Sequence, residues 1–131
     1  MKKIILLMLI FINTLFADTE VLNITFETKS YQVEETQIVK LDEFVDFLFT
    51  NPQLSVILEG HTDSVGTKKD NLLLSKNRAE TVKNYFIAQG IIESRIKILA
   101  CGETKPLAPN NIKAHRQINR RVVSKTFVTF E

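Results

Sequence analysis

Leu54-Ser55-Val56-Ile57-Leu58-Glu59-Gly60-His61-Thr62-Asp63-Ser64-Val65-Gly66-Thr67 is the stretch that decides the fold. Leu54–Glu59 reads as a strand, with Val56 and Leu58 on one face and Ile57 on the other. Gly60 and Gly66 bracket a polar turn. Thr67 has the side chain to cap a helix, and Asp70, three residues later, makes a short capping-box partner. Leu74, Ala79, Val82 and Phe86 then supply a helical apolar stripe, which Gly90 ends as a C′ residue. Strand, polar turn and helix follow one another without a break.

The neighbouring segments continue this alternation. Upstream, Val21–Phe26 is β-rich. Ile38, Leu41, Val45 and Leu48 then give an amphipathic helix from about Glu34 to Phe49, stopped by Pro52. Downstream, Arg95–Ala100 reads as a third strand and Gly102 to about His115 as a loop punctuated by Pro106, Pro109, Asn110 and Asn111. Arg121–Phe130, rich in Val, Thr and Phe, is a fourth strand. Alternating strands and helices predict an α/β (layered α+β) domain, a sheet with helices packed on one face. Crossovers through helices make neighbouring strands parallel, and the last strand can run either way, so a mixed sheet is expected.

Residues 1–17 stand apart. Lys2 and Lys3 precede an apolar run, Ile4–Phe16, and Ala17 precedes the polar Asp18-Thr19-Glu20. This is the layout of a secretory signal peptide, and the run is short for a membrane span of roughly 20 residues. Cleavage after Ala17 would leave residues 18–131 as one domain. An uncleaved segment would act as a membrane tether. Lys2 and Lys3 leave with the signal and no acid does, so the 17 basic and 15 acidic residues of the whole chain become 15 of each. A neutral domain gives no reason to expect nucleic acid as a partner. Cys101 is the one cysteine, which excludes an internal disulfide and, far from the signal boundary, a lipid anchor of the usual kind.

Few residues offer chemistry. Cys101 with His61 or His115 is a conceivable nucleophile pair, but no spacing supports it, and a single cysteine is more often a small buried hydrophobe. His61-x-Asp63 lacks a third ligand at zinc spacing, so neither a metal nor a cofactor is expected. Asp63 and Arg78 form the pair of interest. Asp63 follows the carboxyl end of a strand, where open α/β sheets bind ligands. Arg78 lies four residues from both Leu74 and Val82, on the apolar face of its helix, where an unpaired charge is costly. Two readings are open: a salt bridge between them, or a clamp in which the carboxylate takes an ammonium and the guanidinium takes a carboxylate.

Three motifs at these residues carry a resemblance. Glu59-Gly60-His61-Thr62-Asp63-Ser64-Val65-Gly66, then Asn71-x-x-Leu74-Ser75-x-x-Arg78-Ala79-x-x-Val82, then Arg116-x-x-Asn119-Arg120-Arg121-Val122 resemble the OmpA-like C-terminal domain, the family of Pal lipoproteins and the periplasmic part of MotB. The resemblance covers about Val21 to Phe130. It implies a β-α-β-α-β sandwich with a mixed sheet, non-covalent binding of peptidoglycan through the diaminopimelate of its stem peptide, and no catalysis. Asp63 is then expected to take the ammonium of the amino-acid head group and Arg78 its carboxylate. Asn71 and Leu74 are expected at the pocket edge, and Asn119 and Arg120 as residues that line or brace it. The family's first strand commonly ends in Phe-Asp. Here Phe26-Glu27 stands in that place, with the Thr28 and Lys29 backbone expected against the ligand.

The resemblance also implies a periplasmic location at the outer membrane or cell wall. Most relatives carry a second module that ties the wall to something else. After signal removal this chain is expected to rely on an envelope protein partner, and a homodimer is left open beside a monomer. The rival reading from another class is a periplasmic adapter that uses the same fold to bind a protein. An enzyme using Asp63 or Glu59 as general base lacks a convincing second group.

Overall fold

The computed structural model describes residues 21–129. The expected signal peptide, residues 1–17, lies outside them. Among the described residues no helix is long and apolar enough to cross a membrane. The elements are β1 (Asn23–Thr25), α1 (Ile38–Thr50), β2 (Leu54–His61), α2 (Lys68–Ala88), β3 (Ile96–Ala100), α3 (Lys113–Asn119) and β4 (Arg121–Val128). Single 3-10 turns, Glu35–Gln37 and Glu93–Arg95, lead into α1 and β3.

The expected mixed sheet is present, in the order β1-β4-β2-β3. β2 and β3 are parallel neighbours, and β4 runs antiparallel to both β1 and β2. The crossover through α1 therefore does make β1 and β2 parallel, but it does not make them neighbours. The last strand inserts between them. Several boundaries also differ, among them the start of the first long helix, which is Ile38 rather than Glu34 because a 3-10 turn, Glu35–Gln37, precedes it. β1 is shorter than Val21–Phe26 because Leu22 N–H bonds to the Ser124 hydroxyl at 2.8 Å instead of to a ladder carbonyl. β2 extends past Glu59 to His61. The expected loop Gly102–His115 ends early: α3 begins at Lys113, a helix of seven residues and too short to show a clear apolar period.

Helices α1 and α2 cover one face of the sheet. Leu41, Phe44, Val45 and Leu48 of α1 and Ala79, Val82 and Phe86 of α2 are buried against Ile24, Val56, Leu58 and Val122. Phe44 and Phe86 stack with ring centroids 5.7 Å apart. Full burial of each such side chain contributes roughly 1.5–3 kcal/mol. Arg95 ends α1 from a distance, donating to the carbonyls of Leu48 at 2.8 Å, Asn51 at 3.0 Å and Leu54 at 2.9 Å.

The sheet and α2 touch at Gly60. A Cβ there would lie 1.9 Å from the Ser75 carbonyl oxygen, so only glycine allows this approach. Thr67 caps α2 as expected, accepting from Asp70 N–H at 3.1 Å, and Gly90 beyond its end has φ +103°.

Candidate functional site

The topology explains what meets what. β1 and β2 are parallel, so Phe26 and Thr62 leave the sheet at the same end. β4 runs the other way between them, so its first residues start at that end. Arg121 is opposite both Thr25 and His61. Arg120, one residue earlier, therefore lies between Phe26 and the turn that carries Asp63.

Arg78 is wholly buried, as the apolar-face spacing requires. Its Nε donates to the Ser30 carbonyl at 2.7 Å, Nη1 to His61 at 2.9 Å and Nη2 to Glu27 at 3.1 Å. The guanidinium also lies over the Phe26 ring, 5.2 Å from its centroid. One side chain thus ties the end of β2 to both ends of the turn Glu27-Thr28-Lys29-Ser30. Within that turn Ser30 N–H bonds to the Glu27 carbonyl at 3.1 Å, and Lys29 takes φ +59°. Burial pushes the Arg78 guanidinium down to about 10, opposed by the Asp63 charge and reinforced by the repulsion of Arg120. It stays protonated at neutral pH.

The salt bridge of Asp63 is made with a different arginine from the expected one. Its Oδ2 lies 3.1 Å from Arg120 Nη1, both side chains being buried, and its Oδ1 accepts from Val65 N–H at 3.0 Å. Arg120 Nε donates to the Phe26 carbonyl at 2.8 Å. Arg78 is near enough to feel the Asp63 charge but spends its bonds on carbonyls. The reason is topological: the insertion of β4 delivers Arg120 to the turn, and sequence spacing between Asp63 and Arg78 contains no trace of that. The two buried guanidiniums face one carboxylate, leaving the cluster one positive charge in excess.

Arg120 also forms part of the wall of an open cleft of about 400 Å³, with Glu27, Thr28, Lys113, Ala114 and Gln117. Of the residues expected at the site, Thr28 and Arg120 line this cleft. Lys29 is exposed on the adjoining turn. Asn71 is buried and donates to the Asp63 carbonyl and to the Glu103 carboxylate, each at 3.3 Å, so it braces the turn. Leu74 is half-buried on α2. Asn119 is wholly buried with its amide turned to the loop before α3. It accepts from Leu107 and Ala108 N–H at 2.8 and 3.0 Å, and donates to the Ala108 carbonyl at 2.8 Å. Lys113, Ala114 and Gln117 are brought to the cleft by α3, the helix that sequence reading takes for loop.

A second cluster lies on the outer face of the sheet. Glu59 and His61 alternate outward on β2, and Cys101 follows β3 beside His61. All three are buried. Glu59 Oε2 pairs with Lys125 Nζ at 2.7 Å, and Oε1 lies 3.5 Å from His61 Nε2. Burial, with the Arg121 charge next in weight, lowers the His61 pKa to about 4.

A family model described as the OmpA family matches residues 25–120. Outer membrane porin F of Pseudomonas fluorescens is 35% identical over 101 residues, which are 77% of this chain and 31% of that protein. The peptidoglycan-associated lipoprotein of Buchnera aphidicola is 34% identical over 100 residues, 76% of this chain and 58% of that one. The chain thus spans less than two thirds of these relatives. Among solved structures, the peptidoglycan-associated lipoprotein of Burkholderia pseudomallei superposes with a TM-score of 0.78 at 28% identity, covering 80% of this chain and 89% of that one. The C-terminal domain of Helicobacter pylori MotB shares the fold, with a TM-score of 0.73 at 23% identity over 83% of this chain and 84% of that one. The match across residues 25–120, on a mixed sheet of the expected kind, means that the chain belongs to the OmpA family.

Proposed function

We propose that this protein binds peptidoglycan non-covalently, through the diaminopimelate of the stem peptide, and so ties an envelope complex to the cell wall. The observation that carries the reading is the charge pattern of the buried cluster. One carboxylate and two guanidiniums have the sign pattern needed to receive a zwitterionic head group next to a cleft. Asp63 has accepted two hydrogen bonds and has lone pairs left for an ammonium. The excess positive charge of Arg78 and Arg120 draws the head-group carboxylate. Arg120, on the cleft wall, meets it first, and Arg78 holds the Thr28-Lys29 backbone in place behind it. The likeness to peptidoglycan-associated lipoproteins supports the same reading.

On this reading residues 1–17 export the chain to the periplasm, residues 18–131 are the binding domain, and the chemistry at the wall is recognition without catalysis. The second attachment is an envelope protein. The outer sheet face favours such a partner: Leu99 is 43% exposed beside Lys97, whose ammonium lies over the Phe127 ring. An adapter that binds only protein would use this face and leave the cleft unused.

The discriminating experiment is a titration of the isotopically labelled protein with free diaminopimelate. Shifts confined to the amides of residues 27–30, 63–65 and 113–120, at roughly micromolar to millimolar affinity, support the reading. Shifts scattered over the surface, or none at millimolar ligand, leave the adapter.

A further inference from the structure

We propose that Glu59, His61 and Cys101 form a binding site for one divalent transition-metal ion of the zinc type. Their ligand atoms, a carboxylate oxygen, an imidazole nitrogen and a thiol sulfur, all lie within 4.8 Å of one another and are buried. Donors around a tetrahedral zinc stand about 3.5 Å apart, from bond lengths of about 2.0 and 2.3 Å. Starting from separations of 4.8 Å or less, the three groups therefore need to close by about 1.3 Å at most, within reach of side-chain rotation.

The independent sign of a ligand is His61. It is 2% exposed, and neither Nδ1 nor Nε2 has a hydrogen-bond partner. Buried ring nitrogens are normally satisfied, so a histidine with two orphans facing a carboxylate and a thiol is an unexplained cost in the empty protein. A metal on Nε2 removes one orphan. Cys101 is likewise a free buried thiol.

Charge decides whether a cation fits here. Lys125 and Arg121 lie close by, and Lys105 adds a third positive group. They would repel an uncompensated dication. Two of the three ligands are anionic when bound, however, so the ion, one carboxylate and one thiolate sum to zero. The Glu59 oxygens divide the work. Oε1 faces His61 and is available to the metal, while Oε2 keeps its bond to Lys125 as an outer partner that orients the carboxylate. Burial and the Glu59 charge push the Cys101 thiol up, against the weaker pull of Lys105, Lys125 and Arg121, so the incoming ion itself has to displace the thiol proton. Binding releases the Cys101 proton to solvent, and no electron is transferred. His61 needs no deprotonation, because burial already keeps it neutral at ordinary pH. A water completes the coordination, which leaves the ion four-coordinate.

The site sits under the loop that follows β3. Arg121 holds that loop down through the Lys105 carbonyl at 3.1 Å, and Asn119 holds it at Leu107 and Ala108. A bound ion would therefore rivet β2, β3 and this loop together, on the face away from the helices. The sequence hides the site because Cys101 is 40 residues from His61. Only the parallel pairing of β2 with β3 sets them side by side.

The test uses the whole purified chain, stripped with chelator and titrated with Co²⁺ and then Zn²⁺. The expected result is one Co²⁺ per chain with a thiolate-to-cobalt charge-transfer band in the near ultraviolet, bleached when Zn²⁺ displaces it. Cys101→Ala puts a small apolar side chain in a buried position and keeps the fold. It should lose the band and bind at least tenfold more weakly. Glu59→Gln should weaken binding while keeping the band. Absence of a thiolate band in the wild type, or unchanged Co²⁺ affinity in folded Cys101→Ala, would overturn the proposal. Sedimentation of Cys101→Ala with cell wall is expected to match the wild type, so the metal and wall sites fail or stand separately.

Discussion

Asp63 has two arginines within electrostatic reach and pairs directly with only one. The Asp63–Arg120 contact at 3.1 Å is buried, whereas Arg78 is bonded to three carbonyls. Double-mutant cycles in chemical denaturation should therefore give a coupling of about 2 kcal/mol for Asp63→Ala with Arg120→Met, and less than about 1 kcal/mol for Asp63→Ala with Arg78→Met. The reverse order would mean that Asp63 and Arg78 form the primary pair. Arg78→Met alone should cost at least about 3 kcal/mol, since it strands buried carbonyls. At this scale the sequence was informative about placement and uninformative about partners. Arg78's position between Leu74 and Val82 announces a buried arginine, but its partners are carbonyls, which every residue possesses and no motif distinguishes. His61 adds a pH signature. Its folded pKa of about 4 is depressed below the ordinary 6.5, so the unfolded chain takes up a proton that the folded chain refuses. In metal-free protein its contribution is fully present above about pH 6.5 and is lost as pH falls toward 4, by at most about 3 kcal/mol. Urea melts of wild type and His61→Gln across that window should converge as pH falls.

Among the elements, the turn between β1 and α1 is the strained one. Lys29 sits at φ +59°, a conformation that costs a side-chain-bearing residue roughly 1 kcal/mol. Lys29→Gly should stabilise the fold by up to about 1 kcal/mol by thermal melting, and should leave wall binding intact if the contact there is through backbone. A loss of binding would assign the ligand contact to the Lys29 side chain. The β2–α2 contact is the opposite case. Gly60→Ala places a Cβ against the Ser75 carbonyl, so either α2 moves away or the sheet distorts. A loss of about 3 kcal/mol is expected, at the upper end of the usual range for overpacking because the atom met is backbone. The long elements were legible because burial imposes their periods: Leu41, Val45 and Leu48 on α1, and Ala79, Val82 and Phe86 on α2, are all in the core. α3 was not, because seven residues carry fewer than two helical turns and its neighbours Pro106 and Pro109 argue for loop.

For the molecule as a whole, the alternation of strands and helices gave the layer architecture, and the turn after β2 gave the end of the sheet where the charge cluster lies. Strand order was out of reach, because pairing between β1 and β4, about a hundred residues apart, leaves no local pattern. That order is what assembles the cluster: inserting β4 between β1 and β2 brings Arg120 to Asp63 and carries α3 to the cleft. Binding should consequently depend on Arg120 as well as on Asp63 and Arg78, and should resist moderate salt better than exposed ion pairs do. The most direct measurement is co-sedimentation of residues 18–131 with purified peptidoglycan, with and without excess diaminopimelate, beside Asp63→Asn and Arg120→Lys variants verified as folded by circular dichroism. The account predicts that the wild type pellets with the wall, that free diaminopimelate releases it, and that both folded variants remain in the supernatant. A wild type that stays soluble, or variants that pellet as well as it does, would contradict a wall-binding role for the cluster.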